Sequence, residues 1–295
     1  MVSYKVKATG AYHSAKAIPC QDAYSICVVS DDVLIGAVTD GLGSERFSDR
    51  GAKITANISV NEVSNNYSPT QSVEEKLCLI KDSFAKAYSK VIEVAKKQGN
   101  NIDQYDCTLC LCILEETTGD LYYGQSGDSG LIVSKRNGTY EVVTKQQRDE
   151  EGYVYPLCAG PEYWEVGIVQ NVVGAMLLTD GILDLIVPEN TKCLNEKFLN
   201  RMMDHYEIGK GEVKRLEREA QKFIENIPRQ VIYDDKTMVV LLTANKPSSS
   251  EISEDNNGHN KNKICGEDKG NNTMVHHLVH KLICHFLRRG KNEIC

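Results

Sequence analysis

The chain of 295 residues carries 34 basic and 41 acidic side chains, and its formal charge of -7 argues against nucleic acid as a partner of the main body. Its 11 cysteines are an odd number and follow no apolar leader, and no apolar run approaches the roughly 20 residues that span a bilayer. These properties predict a reduced, soluble, cytoplasmic protein with one large domain or two small ones.

The first predicted elements are a β-hairpin followed by two helices. Residues 23–30 and 33–39 are apolar runs that flank a pair of aspartates, which predicts two strands joined by a two-residue turn. Helices are expected at 47–66 and at about 72–98, where apolar residues recur at helical spacing. The sequence Ser72-Val-Glu-Glu predicts a capping box at the start of the second helix.

Strands return in the middle of the chain, and helices return near the end of the main body. The expected strands are 106–115, 120–126, 129–135, 139–144, 172–179 and 236–243, and the expected helices are 191–205 and 211–226. Strands and helices each come in consecutive groups rather than in strict alternation. This order predicts an α+β fold with antiparallel sheets.

The chain divides into a body, residues 1–245, and a tail. Residues 246–272 are almost free of apolar side chains, which predicts a disordered polar linker. Residues 273–295 begin with a basic amphipathic pattern that predicts a helix docking to a partner or a membrane surface, or packing back on the body. Three residues of this segment stand at i, i+4 and i+8 and are weaker candidates for a metal site: His276, His280 and Cys284.

Aspartates recur at the edges of the apolar, strand-like runs, usually beside a glycine that lets the backbone bend. They are Asp40, Asp128, Asp180, Asp184, Asp234 and Asp235. Carboxylates that meet at strand ends repel one another unless a cation lies between them. The pattern therefore predicts a divalent, oxygen-liking ion such as Mg²⁺ or Mn²⁺.

Six short motifs occur in a fixed order along the body. They are CQDA (20–23), TDGLGS (39–44), DCT (106–108), GDS (127–129), TDGILD (179–184) and DDKT (234–237). In this order the chain resembles the metal-dependent serine/threonine protein phosphatases of type 2C, from about residue 8 to residue 242. Its opening, GAYHSAKAIPCQDA, is most similar to a compact bacterial branch. The resemblance implies a four-layer α-β-β-α sandwich with two antiparallel central sheets, and a body that forms one catalytic domain.

The resemblance also implies a metal-binding role for seven residues. Asp40 would bridge two ions with the Gly41 carbonyl as a further ligand, and Asp180 and Asp234 would complete the coordination of the first ion. Asp22 would face the second ion through water, and Asp128 and Asp184 would share a looser third position with Asp180. Asp40, Asp180 and Asp234 are the expected catalytic set, and Asp235 is expected to orient Asp234 rather than to bind metal.

The expected reaction follows from two Mg²⁺ or Mn²⁺ ions, with a third as a further option. A water between two such ions has a lowered pKa and can attack phosphorus in line without a phosphoenzyme. The expected substrate is a phosphoserine or phosphothreonine protein, the target of a Ser/Thr kinase, and the enzyme is expected to be a monomer. Two alternatives stay open: a catalytically silent relative that binds a partner, and a hydrolase of small phosphate esters.

Three positions depart from the pattern of the family. Leu42 stands where many members have a histidine that can act as general acid, and Gly130 stands where arginine is frequent. Ala17 replaces an arginine that holds substrate phosphate. Lys16 and His13 are therefore the candidates for contacting that phosphate, and Lys16 would act as a point charge without the bidentate fork of arginine.

Two further features have competing interpretations. Cys107, Cys110 and Cys112 have a spacing seen in zinc sites, but on a strand Cys107 would face away from the other two, which favours core cysteines. Residues 146–167 are expected to form a structured loop beside the site. Three aromatic residues of this loop are expected to line the cleft: Tyr153, Tyr155 and Trp164.

Overall fold

The computed structural model describes residues 1–187, 194–203 and 210–244. The strands in these ranges are β1 (Val2–Ala8), β2 (Ala23–Ser30), β3 (Val33–Thr39), β4 (Leu109–Glu115), β5 (Leu121–Ser126), β6 (Gly130–Lys135), β7 (Tyr140–Val142), β8 (Glu165–Val169), β9 (Val172–Leu178) and β10 (Lys236–Leu242). The helices are α1 (Ala11–Ala15), α2 (Ser48–Asn66), α3 (Val73–Gln98), α4 (Asp180–Ile186), α5 (Glu196–Met203) and α6 (Lys210–Glu225).

The strands form two five-stranded antiparallel sheets, which confirms the predicted fold class. One sheet has the order β1-β10-β9-β6-β7 and the other β2-β3-β4-β5-β8. The sheets face each other across a core that includes Leu34, Val38, Leu177 and Val239. A cluster on the outer face of the first sheet joins it to α4, α5 and α6. A cluster on the outer face of the second joins it to α2 and α3.

Period-two alternation places the side chains of each central strand in two different cores. Val33, Ile35 and Ala37 of β3 pack toward the helices, whereas Leu34 and Val38 pack between the sheets. The same alternation holds in β10, where Val239 and Leu241 join the inter-sheet core and Met238 and Val240 join the helix-facing core. Both faces of the sheets are therefore buried, which explains why the strands read as nearly continuous apolar runs.

Most predicted elements are confirmed, and four elements were missed. The hairpin of β2 and β3 turns at the two aspartates as expected. Helix α3 begins with the predicted capping box, in which Ser72 Oγ accepts a hydrogen bond from the Glu75 N–H. The missed elements are β1, α1, β8 and α4. The predicted linker and tail lie outside the described residues, and none of the described helices has the length and hydropathy of a membrane span.

The antiparallel order brings the acid-bearing turns to one end of the sandwich. β3 and β9 end there, and Asp40 and Asp180 follow them. β10 begins there directly after Asp234 and Asp235, and the turn between β5 and β6 contributes Asp128. Neighbouring antiparallel strands run in opposite directions, so the end of one strand lies beside the beginning of the next. The topology thus gathers acids that are far apart in sequence.

The capping box of α3 gives a test of local helix energetics. We expect Ser72→Ala to lower the free energy of unfolding by about 1 kcal/mol, because the N–H of Glu75 loses its side-chain acceptor. The matched control is Ser89→Ala, an exposed position inside the same helix, where alanine should be neutral or slightly stabilising. Urea unfolding curves measure both, and equal midpoints for the two variants would contradict the role of the cap.

Candidate metal centre

Three aspartates meet at the acid-bearing end of the sandwich. Asp40, Asp128 and Asp180 each place a carboxylate oxygen within 4.8 Å of the others. Asp40 and Asp180 are partly buried and Asp128 is 2% exposed. All three were predicted as metal ligands, and the fold brings them together. Oxygen donors of this kind match the preference of Mg²⁺ and Mn²⁺.

Hydrogen bonds to the next strand fix the backbone that carries Asp40. The Asp40 N–H donates to Thr108 Oγ1 over 3.0 Å, and the Thr108 N–H donates to the Asp40 carbonyl over 2.8 Å. A Cβ atom at Gly41 would lie 2.8 Å from the backbone carbonyl oxygens of Gln21 and Ser48. Only glycine therefore lets the chain after Asp40 approach these two segments.

Two buried carboxylate oxygens, one in the cluster and one on Asp22, accept no hydrogen bond. Asp22 is 1% exposed, and its Oδ2 accepts a hydrogen bond from Thr179 Oγ1 over 2.8 Å. Asp22 Oδ1 and Asp180 Oδ1 are both buried without a partner. Buried acceptors are almost always satisfied in proteins. These two oxygens and the carboxylate cluster therefore fit the divalent ions that the sequence predicts.

The pKa values of the acids respond to burial first and to mutual repulsion second. Burial, and then the Asp235 carboxylate, raises the pKa of Asp22 to about 7. Burial followed by Asp22, Asp180, Asp234 and Asp128 raises the pKa of Asp40 well above its ordinary range. A cation bound between these acids would favour their charged forms and so oppose both effects.

Asp234 and Asp235 are neighbours with different environments. Asp234 reaches the surface, and its Oδ1 accepts a hydrogen bond from the Asp235 N–H over 2.8 Å. Asp235 is 2% exposed; its Oδ1 accepts from the Gly10 N–H over 2.6 Å and its Oδ2 accepts from the Gln21 N–H over 2.6 Å. Asp235 therefore fastens the N-terminal segment to the loop before β10. Its contact with Asp234 is made by its backbone N–H, and the orienting role of Asp235 stays a prediction.

The two candidates for phosphate contact differ in exposure and in their partners. His13 is buried, and its Nδ1 lies 2.9 Å from Asp235 Oδ2. Lys16 is exposed; its Nζ donates to the Tyr12 hydroxyl over 2.5 Å and lies 4.0 Å from the centroid of that ring. Of the two, only His13 lines the cleft described next.

A cleft of about 640 Å³ opens beside the acids. Its lining includes Asp180, Asp184 and Asp234, together with Tyr12 and Tyr233. A volume of this size falls in the range of ligand-binding clefts. Asp180, Asp184 and Asp234 give this lining negative charge, and the rings of Tyr12 and Tyr233 give it aromatic surface.

The loop that follows β7 differs in part from its prediction. Trp164 does not line the cleft: it is 7% exposed, packs edge-on against Phe84 of α3, and donates its Nε1–H to the Leu157 carbonyl over 3.1 Å. Its size and its single donor make it a core residue here. Tyr153, which is 72% exposed, and Tyr155, which stacks on Tyr163 with ring centroids 4.3 Å apart, are also absent from the lining of this cleft, contrary to the prediction.

The same loop contributes two side chains that contact the acids, which the sequence did not predict. Arg148 Nη2 lies 2.6 Å from Asp128 Oδ2 and 3.3 Å from Asp180 Oδ2. Gln146 Nε2 donates to Asp184 Oδ1 over 3.0 Å. A basic residue in a loop between two strands is too common a feature to have pointed to this position.

The cysteines with zinc-like spacing are core residues, as favoured by the strand argument. Cys110 and Cys112 lie between the sheets, whereas Cys107 packs with Ala52 and Ala56 of α2. Burial raises the pKa of the Cys107 and Cys110 thiols to about 12. Neutral thiols on different faces are poor zinc ligands.

Comparisons with known proteins agree with this architecture. The family model described as protein phosphatase 2C matches residues 9–218. A bacterial serine phosphatase has a similar structure, with a TM-score of 0.58 and 10% identity over 82% of this chain and 98% of its own. Serine/threonine phosphatase Stp1 from Staphylococcus aureus has a TM-score of 0.54 and 12% identity over 81% of this chain and 94% of its own. PppA, a regulatory component of T6SS in Pseudomonas aeruginosa, has a TM-score of 0.55 and 12% identity over 81% of this chain and 96% of its own. No curated protein sequence matches the chain significantly.

The raised pKa of Asp22 predicts how pH changes the stability of the metal-free protein. Its folded pKa of about 7 exceeds the ordinary value of 3.8. The folded state therefore binds the proton more tightly, and this group costs stability as the pH rises through that window. We therefore expect the free energy of unfolding of Asp22→Asn, relative to that of wild type, to increase as the pH rises from about 4 to about 7.

Chemical unfolding in EDTA at several pH values measures this difference. Asp31→Asn, which removes a turn carboxylate at the opposite end of the sandwich, is the control and should show no such trend. A difference between Asp22→Asn and wild type that is constant with pH, or that falls as pH rises, would contradict the expectation.

Proposed function

The chain belongs to the protein phosphatase 2C family, and from this premise we propose that it removes phosphate from phosphoserine and phosphothreonine in proteins. One observation carries the proposal: three carboxylates lie within 4.8 Å of one another beside an open cleft. A phosphate dianion would be repelled by these acids alone, because like charges at such distances interact strongly. Cations held by the acids would reverse that repulsion.

The residues that would hold two Mg²⁺ or Mn²⁺ ions are Asp22, Asp40, the Gly41 carbonyl, Asp180 and Asp234. Asp128 and Asp184 belong to the separate, looser third position. When bound, such ions supply a water of lowered pKa and positive charge for the phosphoryl oxygens. The unpartnered Oδ1 atoms of Asp22 and Asp180 support the assignment of these two residues. Asp40, fixed by Thr108, would be the shared ligand.

Direct hydrolysis by water fits the side chains around the cleft. Cys107 and Cys110 are buried, burial raises the pKa of both thiols, and neither residue lines the cleft. Leu42 follows Gly41 and brings no imidazole next to Asp40. His13, whose Nδ1 is held by Asp235, contributes a wall of the cleft and is a weaker candidate for contact with the phosphate.

The substrate would be a protein phosphorylated by a Ser/Thr kinase, and the enzyme would act as a monomer. The solved phosphatases that share the fold support this class of substrate. Tyr12 and Tyr233 at the cleft offer apolar contact area to residues flanking the phosphorylated side chain. A silent, partner-binding relative is disfavoured because Asp40, Asp180 and Asp234 are all retained.

We expect Asp40→Asn to lower the hydrolysis of a phosphothreonine peptide with Mn²⁺ by about 100-fold or more, because the shared ligand loses its charge. EDTA should abolish turnover by the wild-type protein. Released phosphate measures both effects, and Asp31→Asn is the control that removes one carboxylate far from the site. Turnover in EDTA, or an Asp40→Asn variant as active as wild type, would rule out the proposed mechanism. Faster turnover of p-nitrophenyl phosphate than of any phosphopeptide would favour a small-ester hydrolase instead.

A further inference from the structure

Arg148 contacts two of the clustered acids, and its contact with Asp180 involves only one of the two carboxylate oxygens. Asp180 Oδ2 lies 3.3 Å from Arg148 Nη2, whereas Asp180 Oδ1 is buried and has no hydrogen-bond partner. Asp128 Oδ2 lies 2.6 Å from the same nitrogen. One oxygen of Asp180 is thus free for the central ions. The oxygens that Asp128 and Asp180 would offer to a looser third ion are already paired with a guanidinium.

The backbone on both sides of Arg148 is held in place, so its position is set by the fold. The Gly127 N–H donates to Gln147 Oε1 over 2.8 Å, and the Gln147 N–H donates to the Gly127 carbonyl over 3.2 Å. Arg148 itself forms an isolated β-bridge with Val154. The Asp149 N–H donates to the Tyr153 carbonyl over 2.9 Å and closes the turn.

Asp184, the third acid of the looser position, is contacted by the same loop segment. Gln146 Nε2 donates to Asp184 Oδ1 over 3.0 Å, two residues before Arg148. Side chains from one short segment therefore contact Asp128, Asp180 and Asp184. Arginine keeps its charge at every accessible pH and presents a planar set of donors to carboxylates. It can serve as a permanent counter-charge in a way that a weakly bound ion cannot.

We propose that Arg148 is the built-in cation of the Asp128–Asp180 pair, so that this chain binds two divalent ions and excludes the third. The inference rests on the proposed metal centre. A third ion would have to displace the guanidinium from both carboxylates. Removing the guanidinium exposes a set of carboxylate oxygens that suits a hydrated divalent ion.

Counting bound ions tests the proposal without measuring activity. Equilibrium dialysis with metal analysis, together with calorimetric titration by Mn²⁺, should give two ions for wild type and three for Arg148→Gln. The third ion should bind the variant about tenfold or more tightly than wild type. Arg218→Gln removes the same charge from the exposed face of α6 and should stay at two ions. Equal stoichiometry and third-ion affinity in wild type and Arg148→Gln would overturn the proposal, as would the same gain in Arg218→Gln.

A second pair of measurements keeps the test decisive if Arg148→Gln folds poorly. Asp128→Asn should still bind two ions, because Asp128 pairs with Arg148 and not with metal in this proposal. If wild type bound three ions and Asp128→Asn bound only two, Asp128 would be a ligand of the third ion and the proposal would be overturned. Failure of the metal centre itself is distinguishable, since wild type would then bind no Mn²⁺ at all, which would overturn both proposals.

Discussion

Repulsion among carboxylates at one end of the sandwich is the constraint on which the site depends. Asp40, Asp128 and Asp180 lie within 4.8 Å of one another, and burial adds to the cost of their charge. Each of the three comes from a different turn, so their meeting depends on the tertiary fold. The two packed sheets supply the stability, through cores that bury both faces of the central strands. The apolar interior therefore offsets an arrangement that is unfavourable until counter-charges are present.

Neighbouring carboxylate groups in this site have different roles, and their hydrogen bonds and ion pairs show which role each one has. Asp235 fastens Gly10 and Gln21, whereas Asp234 beside it reaches the surface next to the cleft. Within Asp180, one oxygen meets Arg148 and the other is unpartnered. The chemistry assigned to each acid thus follows from which of its oxygens the protein has already satisfied.

Much of this arrangement is readable from the sequence, because apolar runs place strand ends and the aspartates follow those ends directly. β1 was not predicted, although Tyr4 and Val6 alternate with lysines in the manner of an edge strand. Helix α4 is only seven residues long, too short for periodicity to reveal it. Arg148 and Trp164 could not be assigned, because tertiary hydrogen bonds of the loop decide that one points to the acids and the other into the core. The spacing of apolar residues therefore predicts which strands are buried, but it does not predict where the side chains of a loop point.

The pairing of β1 with β10 has a consequence for anything attached to the chain beyond the sandwich. Ala8 lies opposite Lys236 near the acids, and Val2 lies opposite Leu242 at the other end. Seven residues of extended strand cover about 20 Å. A group joined after residue 244 would therefore start on the far side of the domain from the cleft, beside the beginning of the chain. Such a group would reach the cleft only along the length of the sandwich, so the length of its tether would set how often the two meet.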